Sequence, residues 1–396
     1  MEKLSAIIEN NVARGQDTKD KLLGAAFVVT NRDGIIYSGS AGRIGFDVDS
    51  PKFDGGSFAW VASLTKLLTA PCLLQLVEQG KIGLDDDLRQ LVPELGQMRI
   101  LRGFTPEDEP ILENNDRPIT LRLLLTHTVG LSYDVADPDL QKWSKAINRT
   151  ASMVGWTKAG YDTPFKFTPG DGWVYGSAFD WGGILLEKLT GQTIGDYMKQ
   201  HVLDPLGMHD TGFHPNRLPQ VANRTIEIGI RDDDKGTVSF FDPVPPHPEM
   251  ESGGAGLFTT ANDYARVLRA MLQDEPGVVS GETLKHMFSP QLNETQRAML
   301  ESTCYDPLIH PAFVPGFPDG LKLNHGWGGV LNMEDIPGQR RKGSMTWSGA
   351  GNPRWWIDRE SGIAGVLILG LFPHGDAAAS NMFVELERAV YELLVK

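Results

Sequence analysis

Cysteine is scarce in this chain. Cys72 and Cys304 are the only two in 396 residues, too few for a disulfide framework. Cys72 lies in the apolar stretch Leu67 to Leu76, which marks it as a buried core thiol rather than a nucleophile. No Cys-x-x-Cys pair and no His-rich cluster occurs, so no structural zinc site is expected, and no cofactor. No apolar run reaches the roughly 18 residues of a membrane span. Met1 to Asn10 is amphipathic and acidic, without the charged-then-apolar order of a secretory signal. A soluble, cytoplasmic protein with no membrane partner is therefore expected. Basic residues are outnumbered, 37 Lys plus Arg against 51 Asp plus Glu, for a net charge of -14. That balance repels phosphate backbones and argues against nucleic acid as a partner. Gly-x-Ser-x-Gly is missing too, which argues against a Ser-His-Asp hydrolase built on a nucleophile elbow. There is no internal repeat and no low-complexity tract.

What is present suffices for a large core. Hydrophobic residues make up 41% and charged residues 22% of the chain, ordinary for a globular protein that needs neither disulfides nor metal. The length fits one large unit or two intimately packed subdomains. Leu4, Ile7, Ile8 and Val12 share one face of a helix predicted over 2–12. Strands are predicted over 25–30 and 35–40, joined by a turn ending in Asp33-Gly34. The far end reads as three β segments, 344–347, 354–358 and 363–371, and a closing helix over 376–395. Between the ends, helical spacing marks 65–79, 121–125, 179–189, 194–201 and 260–272. The expected fold is α+β: a central antiparallel sheet from both chain ends, flanked by helices, over about residues 1–60 and 325–396. A mostly helical subdomain over about 61–324 is inserted, with the active site at the seam.

One short stretch carries chemistry. Ser63-Leu-Thr-Lys66 at the start of a helix places i and i+3 on one face, so the lysine can reach the serine hydroxyl. The helix N-terminus favours negative charge on that oxygen. Partial burial or a second cation would let the lysine accept its proton. A chain of this size carries about one Ser-x-x-Lys by chance, and taken alone the pair reads as an N-cap serine and a surface lysine. Its flanks, Trp60-Val-Ala before and Leu67-Leu68 after, are apolar and set it apart from a solvated pair.

Here the sequence resembles the class C β-lactamase, D-alanyl-D-alanine peptidase and family VIII esterase group, of β-lactamase/transpeptidase-like fold, in which such a serine opens a buried helix. The resemblance implies a second element, Tyr-x-Asn, whose tyrosine acts as general base with the lysine. Tyr175-Gly-Ser177 occupies that place, with serine for asparagine. It implies a third on a strand, Lys-Thr-Gly or a variant. Trp347-Ser348-Gly349 is the candidate, and the N–H groups of Ser63 and Ala350 would then form the oxyanion hole. Leu123 to Leu131, Asp204 to Phe213 and Gly253 to Thr260 also follow the group's patterns, extending the likeness over most of the chain. His127, inside the first of these, reads as structural, because a Ser-Lys-Tyr set leaves a histidine base unnecessary.

Ala62 to Thr69, Trp173 to Trp181 and Arg340 to Thr346 look most like fungal lovastatin-type polyketide acyltransferases and related esterases. That likeness implies a ping-pong reaction: Ser63 takes an acyl group, then water or an alcohol removes it. Two departures bear on substrate. In β-lactamases the third-element lysine engages a substrate carboxylate, which Trp347 cannot do, and Ser177 is too short to replace the asparagine. Trp60, Trp173, Trp327, Trp347 and Trp355 near the three elements predict an apolar site, with Ser177, Ser348 and Gly349 also facing the ligand. The expected substrate is a hydrophobic natural-product ester or thioester, with an acyl carrier or an alcohol acceptor as further partner. The alternatives are a β-lactamase or peptidase, and a noncatalytic binding protein on the same fold.

Overall fold

The computed structural model describes residues 1–246, 248–274 and 277–395. Its main sheet has seven strands: β1 (Gly24–Asn31), β2 (Ile35–Gly42), β3 (Leu323–His325), β4 (Val330–Asn332), β5 (Met345–Ser348), β6 (Arg354–Asp358) and β7 (Ile363–Ile368). The order is β2-β1-β7-β6-β5-β4-β3 and every pairing is antiparallel. β1 and β7 are apolar along almost their whole length because both faces of the sheet are covered, and all of β7 is buried. β2, at the edge, exposes Ile35 and Ser38. The β1–β2 turn closes as its sequence demands, with the Asn31 carboxamide oxygen accepting from the N–H groups of Asp33 and Gly34.

Helices α1 (Glu2–Asn11) and α5 (Ala377–Leu394) cover one face. Leu4, Ile8, Phe383 and Leu386 meet Phe27, Trp356 and Leu367 there. The other face carries Ala26, Val28, Trp355, Val366 and Ile368 into a larger core shared with the intervening helices. Three of these helices matter for the site: α2 (Lys66–Glu78), α3 (Ala178–Thr190) and α4 (Ala261–Leu272). α2 is buried from Lys66 to Leu76, so it shows no single apolar stripe, as expected of a helix covered all round. α3 lies against it where Gly182 admits Leu73; a Cβ there would meet Leu73 Cδ1 at 2.8 Å.

Three expectations need correction. β7 ends at Ile368, not Leu371, because Leu371–Phe372 leaves the sheet to pair in parallel with Gly229–Arg231. The middle of the chain also holds a β hairpin, Arg99–Phe104 with Pro110–Asn114. The helix expected over 194–201 is α-helical only for Ile194–Met198 and then widens into a π turn over Lys199–Leu203.

Candidate active site

Ser63 sits in a single 3-10 turn, Ala62–Thr65, that runs straight into α2. The turn is braced from all sides. Val61 N–H donates to Leu257 O and Leu257 N–H to Thr65 Oγ1, both at 3.0 Å. Tyr264 OH donates to Leu64 O at 2.9 Å. Ala62 is held at φ +45°, a left-handed conformation that costs on the order of 1–3 kcal/mol outside glycine. The strain goes with the presentation of the next residue: Ser63 keeps 9% of its surface exposed.

Lys66, one turn on, is buried. Its Nζ donates to Ser63 Oγ at 3.2 Å, Tyr133 OH at 3.2 Å and Gly254 O at 2.8 Å. Three acceptors thus meet the three donors of an ammonium group. The same nitrogen stands 4.7 Å from the centre of the Tyr175 ring, a cation–π contact in a desolvated setting. Tyr175 arrives on the loop before α3, which is fixed where Val174 N–H donates to His127 O at 3.0 Å. Its hydroxyl donates to Ser63 Oγ at 2.6 Å and accepts from Trp347 Nε1–H at 3.2 Å. Phe313 and Trp347 wall the far side of the Tyr175 ring, with centroids 5.5 and 4.9 Å away.

The end of β5 is pressed against the serine turn. A Cβ on Gly349 would lie 2.4 Å from Val61 O, so only glycine allows this approach. Among the described residues, neither the N–H of Ser63 nor that of Ala350 has a hydrogen-bond acceptor. Two free N–H groups on adjoining segments are what a developing oxyanion needs.

The cluster's surroundings are low in dielectric. Burial, then His325 and Lys66, holds His127 well below the usual imidazole range. Burial pushes His325 down to about 4, against the bond from its Nδ1 to Gly326 O. Burial raises the Tyr133 phenol, helped by Tyr175 beside it. Both histidines are therefore neutral packing groups near Tyr175 and Trp347, in keeping with a structural His127.

The remaining predicted site residues separate. Trp60 stacks on Phe372 at 6.4 Å and donates its Nε1–H to Ala255 O at 2.6 Å. Trp173 is fully buried behind His127, beside His325. Ser177 precedes α3 with its buried Oγ unpartnered among the described residues. Ser348 Oγ is engaged by Ala312 O at 2.7 Å and His374 Nε2 at 2.9 Å, so it holds the end of β5 rather than facing a ligand. The Trp327 ring lies beside His286 and is not brought to the cluster. Tyr133 was missed. It follows Leu131 by two residues, and its loop is pinned by the nearly buried Arg149–Asp134 pair at 2.7 Å.

This fold and the buried serine–lysine–tyrosine cluster define a serine acyl-transfer enzyme of the β-lactamase type. The chain belongs to the Beta-lactamase family, whose model matches residues 7–388. It is 31% identical to the lovastatin esterase of Penicillium rubens over 87% of this chain and 88% of that one. It is likewise 31% identical to the monacolin J acid methylbutanoyltransferase of Aspergillus terreus, over 84% and 81% of the two chains. The unliganded simvastatin synthase (LovD) of Aspergillus terreus superposes with a TM-score of 0.88 at 27% identity, over 99% of this chain and 98% of the other. The chain is accordingly an enzyme of the esterase and acyltransferase kind. No helix among the described residues is long and apolar enough to cross a membrane, and no group of three or more His, Cys, Asp or Glu is placed to hold a metal ion.

Proposed function

We propose that Ser63 is the nucleophile of a two-step acyl transfer, with Lys66 and Tyr175 moving its proton. The observation that carries this reading is that Ser63 Oγ lies between Lys66 Nζ at 3.2 Å and Tyr175 OH at 2.6 Å. For acylation the pair carries one proton fewer, as a neutral Lys66 amine or a Tyr175 phenolate beside the Lys66 ammonium, and it takes the serine proton as the serine oxygen bonds to the acyl carbon. The N–H groups of Ser63 and Ala350 hold the negative oxygen of the tetrahedral intermediate. The leaving alcohol or thiol departs with the proton from that pair. Water or an alcohol then repeats the sequence in reverse and frees the serine.

The substrate is a hydrophobic ester or thioester of a natural product, and the acceptor is an alcohol or water. Two observations support this. The relatives named above are an esterase and an acyltransferase. At the cluster, the nearly buried rings of Trp347 and Phe313 pack together where a β-lactamase would offer a lysine to a carboxylate. A thioester on an acyl carrier is a suitable donor for such a wall. A reducing, cytoplasmic setting suits Cys72 and Cys304, both buried free thiols.

The test is intact-mass spectrometry after incubation with short and medium p-nitrophenyl and thioester donors. Wild type gains the mass of one acyl group and Ser63→Ala gains none. An adduct that survives in Ser63→Ala, or none with any donor, rejects the assignment. Nitrocefin turnover stays at the level of Ser63→Ala on this reading.

A further inference from the structure

Three consecutive carbonyls run along the start of α2. Gly253 O accepts from Thr69 Oγ1 at 2.7 Å, Gly254 O from Lys66 Nζ at 2.8 Å and Ala255 O from Trp60 Nε1 at 2.6 Å. The strand of backbone can lie this close because its glycines carry no Cβ. On Gly253 a Cβ would meet Phe179 O at 2.6 Å, and on Gly254 it would meet Asp180 Oδ2 at 2.7 Å.

What holds the strap is Asp180, in the first turn of α3. Its Oδ1 accepts from Ser252 Oγ at 2.5 Å and from Gly254 N–H at 3.1 Å, and Ser252 Oγ accepts in turn from Ala255 N–H at 2.9 Å. One carboxylate oxygen therefore fixes the peptide unit on one side of Gly254, and the carbonyl on its other side receives the lysine. Asp180 is completely enclosed. Lys66 reaches towards it from α2, Tyr161 from the helix Lys158–Tyr161 and Tyr133 from the loop after Leu131. A carboxyl buried there is costly to keep unless it does a job that an apolar side chain cannot do.

We propose that Asp180 is the positioning residue of the Ser63–Lys66 pair: through Ser252 and the Gly254 peptide it holds a carbonyl on Nζ and keeps that nitrogen aimed at Ser63 Oγ. The proposal rests on the lysine role given above. A misplacement of about 1 Å in such a group slows the chemical step about a hundredfold.

The experiment measures the single-turnover acylation rate, KM and melting temperature of Asp180→Ala, Asp180→Asn and Ser252→Ala, beside Lys66→Met. Asp180→Ala is expected to acylate about a hundredfold more slowly, with KM held within about twofold. Asp180→Asn keeps an oxygen acceptor for Ser252 and Gly254. It is expected to return the rate to within about fivefold of wild type, since both hydrogen bonds to Oδ1 are kept. A structural defect alone would lower the melting temperature without this split. Wild-type acylation in folded Asp180→Ala, or equal damage from alanine and asparagine, overturns the proposal. Should Asp180→Ala not fold, Ser252→Ala carries the test: slowed acylation at unchanged KM supports the proposal and a wild-type rate rejects it. A fully active Lys66→Met would instead reject the lysine role itself.

Discussion

Trp347 donates its indole N–H to the phenolic oxygen of Tyr175 at 3.2 Å, the same oxygen that donates to Ser63 at 2.6 Å. The residue standing where the resemblance to β-lactamases would place a lysine is thus tied to the proposed proton path as a neutral donor. An indole cannot draw in a substrate carboxylate, yet this one, 2% exposed, can hold the tyrosine in register and back it with an apolar ring.

Replacing that indole separates the two roles. Trp347→Phe keeps an aromatic ring against Phe313 and Tyr175 but removes the donor. One lost hydrogen bond of about 1 kcal/mol slows acylation about five- to tenfold, with little change in KM for an apolar ester. Trp347→Lys is expected to lose affinity for the same ester. Stopped-flow release of p-nitrophenol reads both, and an unaltered acylation rate in Trp347→Phe would remove the tyrosine-holding role.

Lys66 is a buried cation whose neighbours are mostly aromatic, so its removal divides activity from stability. Lys66→Met is expected to lose acylation by at least about a thousandfold, the usual scale for a general base. Its melting temperature holds or rises, because a desolvated charge is replaced by an apolar chain of similar length. Calorimetry beside the acylation assay checks this. A strongly destabilised variant would mean that Nζ is needed by the fold as well as by the chemistry.

That Lys66 meets Ser63 was legible from an i, i+3 spacing with apolar flanks, whereas Tyr175 was expected beside them only through the resemblance to a known group. The long strands and terminal helices were legible because their apolar patterns are strong. Tyr133 was not, since its place depends on Arg149 and Asp134 folding its loop back. Asp180 reads like any first-turn helix acid until the Gly253-Gly254 strap is seen against it. β3 and β4 have three residues each, too few for a period of two to show. Trp327 and Trp173 were misplaced because nearness in sequence says nothing of where a ring points.

Arg340 and Glu387 form a two-armed pair at 2.5 and 2.6 Å, each side chain 1% exposed, that ties the turn before β5 to α5. Glu387→Ala leaves Arg340 unpaired beside Arg354, whose own guanidinium is already pushed down to about 9 by burial and by Arg340. A loss of about 3–5 kcal/mol is expected. The double change Arg340→Met with Glu387→Met restores most of it. Urea unfolding of the three proteins decides, and a cost below about 1 kcal/mol for Glu387→Ala would show that the pair is not insulated from water.

His325 gives the protein an acid sensitivity that can be isolated. Folded, its imidazole stays neutral down to about pH 4, whereas in the unfolded chain it takes a proton near pH 6.5. Between those values the unfolded state binds the extra proton, so stability is lost as pH falls through the window. Wild type is expected to lose about 3 kcal/mol more than His325→Gln between pH 7 and pH 4. Denaturant titrations at both pH values measure the difference, in which titrating groups remote from His325 cancel. Parallel losses in the two proteins would mean that His325 is hydrated when folded.

Gly349 tests the proposed oxyanion hole without replacing the Ser63, Lys66 or Tyr175 side chain. Its N–H is held by Pro353 O at 2.8 Å, and the next N–H, that of Ala350, is left free. The methyl of Gly349→Ala would sit 2.4 Å from Val61 O, so β5 and the serine turn must part. The direct contacts among Ser63, Lys66 and Tyr175 do not run through Gly349, although the Trp347 bond to Tyr175 comes from the strand that must move. The expected result is a fall in acylation of about a hundred- to a thousandfold, the scale for one misplaced oxyanion donor, with about 1–3 kcal/mol of destabilisation from the overpacking. Binding of an apolar ester, measured with the slow variant itself, should change little. If Gly349→Ala acylates normally, the oxyanion is held by groups other than the Ala350 N–H, and the end of β5 serves only to carry Trp347 to Tyr175.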